Sequence, residues 1–168
     1  ATAMTRLREE ICRIAKAEIG VEEIDGTNTG ERVNEYKAAT NLPSKASWPW
    51  CSAFVCWVVR EAMKAAKVKE TNTFKRPTTA GAWDFERWSL AQDESTNTKK
   101  PAGTDIQAGD IVVFTFSHIG IALTSPDKGG NVVTAEGNTD QAGSREGGGV
   151  FKKVRHVGKI RSRIRFTV

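Results

Sequence analysis

The residue with the clearest chemical potential in this sequence is Cys51, which lies in the segment PWCSAFVCW of residues 49–57. A turn containing a proline is followed there by a cysteine and then by an apolar run that predicts a helix. At the first turn of a helix, unpaired backbone N–H groups and the positive end of the helix dipole stabilise a thiolate. Cys51 is therefore a candidate nucleophile, with a small buried side chain as the alternative interpretation.

The other two cysteines have the pattern of core residues. Cys12 falls on the apolar stripe of a predicted N-terminal helix, and Cys56 lies in an apolar run five residues after Cys51. That spacing turns Cys51 and Cys56 to different faces of one helix, so we expect no disulfide framework. The thiols are also too scattered for a zinc site, which needs close cysteine pairs.

A histidine and two polar residues on neighbouring predicted strands could complete this chemistry. Alternation places His118 on a strand face whose next two members are small, and it places Glu136 and Asn138 on one face of the following strand. If the hairpin is symmetric about its loop, His118 faces position 137. An offset of one residue would bring Glu136 or Asn138 opposite the imidazole.

These residue types have defined uses in nucleophilic catalysis. A histidine within hydrogen-bond reach takes the proton of the cysteine and later protonates the leaving amine, while a carboxylate or amide on the second ring nitrogen fixes the tautomer. His118 is the candidate base, and either Glu136 or Asn138 the candidate orienting residue. Each alone would be an ordinary strand residue, and the combination with Cys51 favours catalysis. His156 lies among cations that would lower its basicity and is assigned to the surface.

The periodicity of the chain predicts helices first and strands afterwards. Helices are expected over residues 5–19, 31–39, 51–67 and 79–90. An exposed polar stretch is expected over residues 92–105. Short β-rich segments bounded by turn residues predict strands over 111–116, 119–124, 131–136, 150–157 and 159–168. This order predicts an α+β fold, in one domain over residues 1–168.

Composition restricts the class of protein. The 168 residues carry a formal net charge of +5 at pH 7, which favours an anionic partner without identifying it. The sequence has no run of about 18 apolar residues, and residues 1–10 are charged without an apolar core, so we expect neither a membrane span nor a secretory signal. The tryptophans do not interleave with the basic residues, so nucleic acid is not favoured as a partner. We expect a monomer.

Four short segments follow one another in a specific order: PWCSAFV at residues 49–55, GDIVVF at 109–114, HIGI at 118–121 and EGNT at 136–139. Their combination, over about residues 15–166, resembles the CHAP family of cysteine, histidine-dependent amidohydrolases and peptidases, which belongs with the papain-like and NlpC/P60 cysteine hydrolases. The resemblance implies a papain-like fold with N-terminal helices packed on an antiparallel sheet. It also implies roles for four residues: nucleophile for Cys51, base for His118, orienting residue for Glu136 and supporting polar group for Asn138.

The same resemblance implies a substrate and a place of action. The implied substrate is peptidoglycan, cut at an amide bond of the stem peptide or at its junction with the sugar, by an enzyme acting on the bacterial wall in the periplasm or outside the cell. The simplest expectation is a phage lysin or a tail-associated lysin. An antibacterial effector amidase with an immunity partner, or a catalytically silent wall-binding or virion domain, are the alternatives. Amidase and endopeptidase share the same acyl-enzyme and are not separated by the sequence.

No metal or cofactor is expected. Some CHAP lysins carry an Asp-rich calcium loop just before the cysteine, but residues 41–50 of this chain contain no carboxylate. The acidic stretch over residues 22–31 lacks the alternating carboxylates of an EF-hand-type loop. It is interpreted as a solvated turn.

Two groups of large side chains are candidates for binding. Trp48 and Trp50 flank Cys51 and could line a substrate cleft, although large aromatic residues mostly belong to the core. Arginines alternate along the last predicted strand and are expected to form one exposed row of Arg161, Arg163 and Arg165. That row is interpreted as a solvated face or as a surface attracted to anionic cell-envelope polymers.

Overall fold

The computed structural model describes residues 4–24, 26–139 and 148–168. The helices in these ranges are α1 (Arg6–Glu18), α2 (Glu31–Ala38), α3 (Cys51–Ala66) and α4 (Asp84–Leu90). The strands are β1 (Thr96–Lys99), β2 (Ile111–Phe114), β3 (Ile119–Ala122), β4 (Asn131–Thr139), β5 (Gly149–His156) and β6 (Ile160–Phe166). This order of elements confirms the predicted α+β class.

The strands form one antiparallel sheet in the order β1-β6-β2-β3-β4-β5. Helix α3 packs against β3 and β4, while α1 and α2 pack against α3. The helix that begins with the candidate nucleophile therefore lies against the two strands for which the histidine and the carboxylate were predicted.

The composition of α3 explains its central place. Residues 51–59 are all buried, and a helix that is apolar on every side is stable only inside a core. The helix begins directly after Trp50 and is followed by Lys67, whose positive φ of 58° turns the chain away from the helical path. Burial rather than capping fixes the N-terminus, since Trp50 makes no side-chain capping hydrogen bond.

The sheet buries apolar side chains on both of its faces. The face toward the helices adds to the larger core the side chains of Ile111, Val113, Ile119, Ile121, Ala135, Ile164 and Phe166. The opposite face holds a smaller cluster of Ala102, Ile106, Val112, Phe114, Ala122, Val132 and Ile160. The alternation predicted for the strand that follows His118 is therefore confirmed, because its large residues face the helices and Ala122 faces the other way.

The sequence missed one strand and misplaced the start of one helix. The polar stretch of residues 92–105 is largely exposed or half-buried, but its residues Thr96–Lys99 form β1, for which no strand was predicted, and pair with β6 at the edge of the sheet. An edge strand needs no apolar alternation, so the sequence TNTK gave no signal of a strand. The helix expected over residues 79–90 is shorter and begins only at Asp84.

A buried lysine joins two loops near the start of α3. The fully buried Lys37 donates hydrogen bonds to the backbone carbonyl oxygens of Asn28 and Ala46, the latter at 2.7 Å. Its Nζ also lies 5.1 Å from the ring centroid of Trp48. Carbonyl dipoles and an aromatic face thus replace the carboxylate that usually accompanies a buried ammonium group. The loop before α2 is thereby joined to the loop before α3.

The three arginines of β6 do not form an exposed row, contrary to the prediction. Register between β2 and β6 shifts where Val113 pairs with Ser162 and Phe114 pairs with Ile160, which leaves Arg161 as the extra residue of a bulge. The bulge interrupts the alternation on which the prediction depended. Ile160 consequently packs in the smaller apolar cluster, away from the other apolar residues of its strand.

Each of these arginines is engaged by a carboxylate of the protein. Arg163 is only 3% exposed and pairs with Asp105 at 2.9 Å, and Arg165 pairs with Asp105 and Asp110. Arg161 is more exposed and pairs with Glu86 at 2.9 Å. The alternating arginines of β6 therefore stabilise the fold by joining this strand to carboxylates of other segments.

Arg163→Gln should destabilise the protein by roughly 2 kcal/mol, because it removes a buried guanidinium group together with the hydrogen bonds that Arg163 donates to Asn97 and to the backbone of residue 105. Arg161→Gln is the matched control and should cost about 1 kcal/mol or less, because its ion pair is partly solvated. Urea denaturation of the two variants measures both values. Equal costs would contradict the difference in burial on which the prediction depends.

Candidate active site

Cys51 is the first residue of α3 and is 7% exposed, so its thiol lies at the surface of the core. The first turn of the helix contains no acidic residue, and Trp50 provides no side-chain cap. The positive end of the helix dipole is therefore not compensated beside the thiol. Backbone N–H groups of this turn are available to an anion that develops there.

His118 and Glu136 form a direct and fully buried pair. The distance between His118 Nε2 and Glu136 Oε1 is 2.9 Å, and both side chains are 0% exposed. His118 comes immediately before β3, and Glu136 lies within β4. The two candidates for base and orienting residue are thus in hydrogen-bond contact.

The register of the β3–β4 hairpin explains the contact. Ile121 pairs with Ala135 and Ala122 pairs with Thr134, which is one residue away from the symmetric pairing. The symmetric register was therefore wrong, because the pairing found is offset by one residue. Extended along the strands, this pairing places Glu136 opposite Gly120 and position 138 opposite His118, so the side chain of Glu136 reaches the imidazole diagonally. A Cβ atom at Gly120 would lie only 2.7 Å from Cγ of Glu136. The absence of a side chain at Gly120 therefore leaves the space in which the side chain of Glu136 lies.

Two residues that sequence reasoning did not assign to the site hold the carboxylate from its other sides. Thr134 Oγ1 donates to Glu136 Oε2 at 2.6 Å. Arg155 Nε donates to the same oxygen at 2.8 Å, and a second guanidinium nitrogen donates to Oε1. Strand alternation places Thr134 on the face of Glu136, whereas the sequence indicates Arg155 only as one of the cations around His156. Its contact depends on the β4–β5 register, for which the sequence gives no local signal.

The proton affinities of this pair are displaced in opposite directions. Burial alone would lower the pKa of His118, but interactions with the side chains of Cys51 and Glu136 raise it to about 9. Burial alone would raise the pKa of Glu136, but hydrogen bonds from Arg155 and His118 lower it to about 2. Near neutral pH the pair is therefore an imidazolium beside a carboxylate.

The second ring nitrogen of His118 is left for the thiol. Nδ1 is buried and has no hydrogen-bond partner within bonding distance among the described residues. Glu136 occupies Nε2, and Cys51 is near enough for its side chain to raise the pKa of the imidazole. In an enzyme without substrate, catalytic hydrogen bonds are often long and shorten only in the complex.

Aromatic rings line the imidazole. The ring centroid of His118 lies 5.7 Å from that of Phe114 and 5.8 Å from that of Phe116, with interplanar angles of 17° and 14°. These nearly parallel rings pack beside the imidazole and restrict its rotation. The orientation of the histidine is thus fixed by stacking as well as by its hydrogen bond to Glu136.

Asn138 is brought to the same region but is not placed as the orienting residue. It is fully buried, and its φ of 54° is a left-handed conformation that asparagine tolerates better than most residues. The preceding Gly137 lies against α3, since a Cβ atom there would be 2.8 Å from Cβ of Phe54 and 2.9 Å from a ring carbon of Trp50. A supporting role for Asn138 remains a prediction.

Trp50 does not line a cleft, contrary to the expectation. It is fully buried, stacks on Tyr36 at a centroid distance of 5.6 Å, and donates from its indole N–H to Glu23 at 2.8 Å. Long-range packing of α2 and the loop before it, rather than the neighbouring sequence, decides this burial. Trp48 is half-buried, and its indole N–H donates to the carbonyl oxygen of Pro43.

Within the described ranges, no group of three or more His, Cys, Asp or Glu side chains could hold a metal ion. No helix in these ranges is long and apolar enough to cross a membrane. His156 lies at the surface, where its Nδ1 accepts a hydrogen bond from the backbone of Gly158 at 3.0 Å.

The displaced pKa values predict how stability varies with pH. The raised pKa of His118 stabilises the fold fully below its unfolded value of about 6.5, and this contribution is lost as the pH rises through about 9. The lowered pKa of Glu136 stabilises the fold above its unfolded value of about 4.3, and this contribution is lost as the pH falls toward about 2. Denaturation by urea from pH 3 to 10 should give the largest contribution of this pair between about pH 4.3 and 6.5. Glu136→Gln should flatten both limbs, and an unchanged profile would contradict the coupling.

A thiol at the start of a helix, beside an imidazole that a buried carboxylate orients, is the arrangement of a cysteine hydrolase on an α+β scaffold. The sequence profile of the CHAP domain matches residues 43–138, which is more than half of the chain. The protein therefore belongs to the CHAP family, whose members are cysteine, histidine-dependent amidohydrolases or peptidases. The matched range includes Cys51, His118 and Glu136, and it ends before β5.

Comparison with solved structures agrees with this assignment at the level of the fold. The wild-type endolysin LysIME-EF1 aligns with a TM-score of 0.55 and 16% sequence identity, over 96% of this chain and 64% of the endolysin chain. The protein thus spans less than two thirds of the length of that endolysin. No curated protein sequence matches this chain.

Proposed function

We propose that this protein is a peptidoglycan hydrolase that cleaves an amide bond of the stem peptide, or its junction with the sugar, through a cysteine acyl-enzyme. The observation that carries the proposal is the buried 2.9 Å contact between His118 and Glu136 beside Cys51. Membership of the CHAP family and the endolysin-like fold support the choice of substrate.

The reaction would begin with His118 as an imidazolium, protonated at Nδ1 and Nε2, beside a thiolate at Cys51. The thiolate then attacks the amide carbonyl carbon, and the carbonyl oxygen becomes an oxyanion that backbone N–H groups of the first turn of α3 can stabilise. His118 donates the proton to the leaving amine, the C–N bond breaks, and a thioester with Cys51 remains.

Hydrolysis of the thioester would reverse these roles. His118, now neutral, takes a proton from water, and the resulting hydroxide attacks the thioester carbonyl. The C–S bond breaks, which releases the carboxylic acid product and regenerates the thiolate beside the imidazolium of His118. Throughout, Glu136 accepts the hydrogen bond from Nε2, so that Nδ1 stays directed toward the reacting atoms.

The proposed setting is the bacterial cell wall, in the periplasm or outside the cell, where the enzyme would act as a monomeric phage lysin or tail-associated lysin on peptidoglycan. Trp48, which is half-buried ahead of the nucleophile, is the remaining tryptophan candidate for substrate contact. Anionic envelope polymers are not assigned to the arginines of β6, since these are engaged by carboxylates.

Digestion of purified cell walls tests the proposal. The wild-type protein should lower the turbidity of a wall suspension, and the Cys51→Ala protein should not. Mass spectrometry of the released muropeptides then distinguishes the two bonds, because an amidase frees the intact stem peptide from the sugar, whereas an endopeptidase creates new termini within the peptide. Wall binding without any bond cleavage by the folded wild-type protein would identify a catalytically silent binding domain instead. An antibacterial effector amidase would cleave the same bonds, and its inhibition by an immunity protein would distinguish it.

A further inference from the structure

Besides His118, the carboxylate of Glu136 contacts the guanidinium group of Arg155. It lies on β5, beyond residues 43–138 that carry the family match. Its guanidinium group donates to both oxygens of the carboxylate, and its side chain is only 14% exposed. Its Cζ also lies 5.1 Å from the ring centroid of Phe114 and 5.4 Å from that of Phe116.

The contact between Arg155 and Glu136 is not explained by the usual role of charged residues on an edge strand, which is to prevent pairing with other chains. β5 is an edge strand, and charged side chains on such a strand commonly point into solvent and prevent pairing with other chains. The side chains of the neighbouring residues Lys152 and Val154 are exposed to solvent in this way. Arg155 points the other way and ends between the carboxylate and the two rings that stack on the imidazole of His118.

We propose that Arg155 is a positioning residue that acts through Glu136: it offsets part of the negative charge of the carboxylate and thereby keeps His118 acidic enough to protonate the leaving amine. The proposal rests on the proposed function for its catalytic consequence. Its electrostatic part concerns the resting protein and holds for any substrate.

The distribution of donors supports this role. Oε1 of Glu136 accepts hydrogen bonds from His118 and Arg155, and Oε2 accepts from Thr134 and Arg155. Without the guanidinium group, the carboxylate would direct its whole charge at the imidazolium, which would then release its proton less readily. The hydrogen bonds of Thr134 and His118 would still hold the carboxylate in that case.

The other titratable or charged side chains that interact with His118 and Glu136 come from two neighbouring elements. Cys51 is contributed by α3, and Arg155 is contributed by β5. Lys153 lies on the same strand face as Arg155, where it is paired with Thr134 in the β4–β5 register. Arg155 contacts the carboxylate on this face of β5. A planar guanidinium can bond both carboxylate oxygens and stack on aromatic rings together, which a lysine ammonium cannot.

Titration of the histidine side chains by NMR tests the electrostatic part without a substrate. The chain has two histidines, so the resonances of His118 need to be distinguished only from those of His156. Arg155→Met should raise the titration midpoint of His118 by about one pH unit, because a nearby positive charge is removed. Glu136→Gln should lower this midpoint.

The direction of the shift separates this role from a purely structural one. If Arg155 only kept the hairpin together, its loss would release Glu136 from His118 and lower the midpoint, which would overturn the proposal, as would an unchanged midpoint. Arg155→Gln removes the charge but keeps an amide donor, and it should give the same upward shift if the Met variant does not fold. Arg155→Lys retains the charge and should leave the midpoint near the wild-type value.

Kinetics on a soluble muropeptide test the catalytic consequence. Arg155→Met should lower kcat by about tenfold with KM unchanged, because the imidazolium becomes a weaker acid toward the leaving amine. Arg155→Lys should recover part of kcat. An unchanged kcat together with the shifted midpoint would overturn the catalytic consequence of Arg155. Absence of hydrolysis by the wild-type protein would refute the proposed function, and the titration would still decide the electrostatic role.

Discussion

Replacing Cys51 with alanine should reduce wall hydrolysis by at least about 10⁴-fold, since loss of the nucleophile leaves only binding and oxyanion stabilisation. Cys51→Ser should be nearly as inactive, because a serine hydroxyl beside the same imidazole does not ionise as a thiol does. The thiol is small and lies at the margin of the core, so neither change should cost more than about 1 kcal/mol of stability. Turbidity loss of purified walls and urea denaturation measure the two effects.

Cys56→Ala is the matched control. Cys56 is on the same helix and is fully buried, and its thiol donates to the carbonyl oxygen of Thr79 at 3.3 Å. Burial raises the pKa of the Cys56 thiol, so that it stays protonated. The change should retain full activity and lose about 1 kcal/mol of stability. Cys12→Ala should behave likewise. Continued lysis by a folded Cys51→Ala protein would rule out the mechanism.

Glu136→Ala should lower kcat by about 10²-fold or more, because His118 loses both its hydrogen bond at Nε2 and the charge that stabilises the imidazolium. The variant should also be less stable, since the guanidinium of Arg155 is left buried without its carboxylate. Glu136→Gln keeps the shape of the side chain and should retain partial activity, about tenfold below wild type. Kinetics on a soluble muropeptide from pH 5 to 10 measure these losses.

Asn138→Ala is the companion of the Glu136 variants. If Glu136 orients the imidazole, the asparagine change should have the milder effect on kcat. A greater loss from Asn138→Ala than from Glu136→Ala would reverse the assignment of the orienting residue. The pH dependence adds a second criterion, because only the loss of Glu136 should move the alkaline limb of activity to lower pH.

The parts of the site that depend on local periodicity could be predicted from the sequence. The helix start at Cys51, the strand that follows His118 and the strand face of Glu136 each follow from patterns a few residues long. The sequence could not decide between the symmetric β3–β4 register and registers offset by one residue, because a loop of this composition fits more than one pairing. The structure selects the offset in which Glu136 reaches Nε2 of the histidine.

The remaining features depend on contacts between distant segments. Burial of Trp50 results from Tyr36 and Glu23, and the contact of Arg155 requires β5 to lie beside β4. The arginines of β6 were misassigned because one bulge at Arg161 interrupts an alternation that looks regular in the sequence. A strand pattern shows which residues share a face only while the ladder stays regular.

The ammonium group of Lys37 is a cation, built into the chain, that binds backbone carbonyl oxygens as a bound metal ion would in other loops. Two loops that precede α2 and α3 are tied to it through the carbonyl oxygens of Asn28 and Ala46. Because this cation is covalently attached, its occupancy does not vary with the ionic composition of the medium. The loop that leads to Cys51 is thus expected to keep its conformation at any ionic composition in which the protein folds. Its conformation depends on the burial of the Lys37 ammonium group.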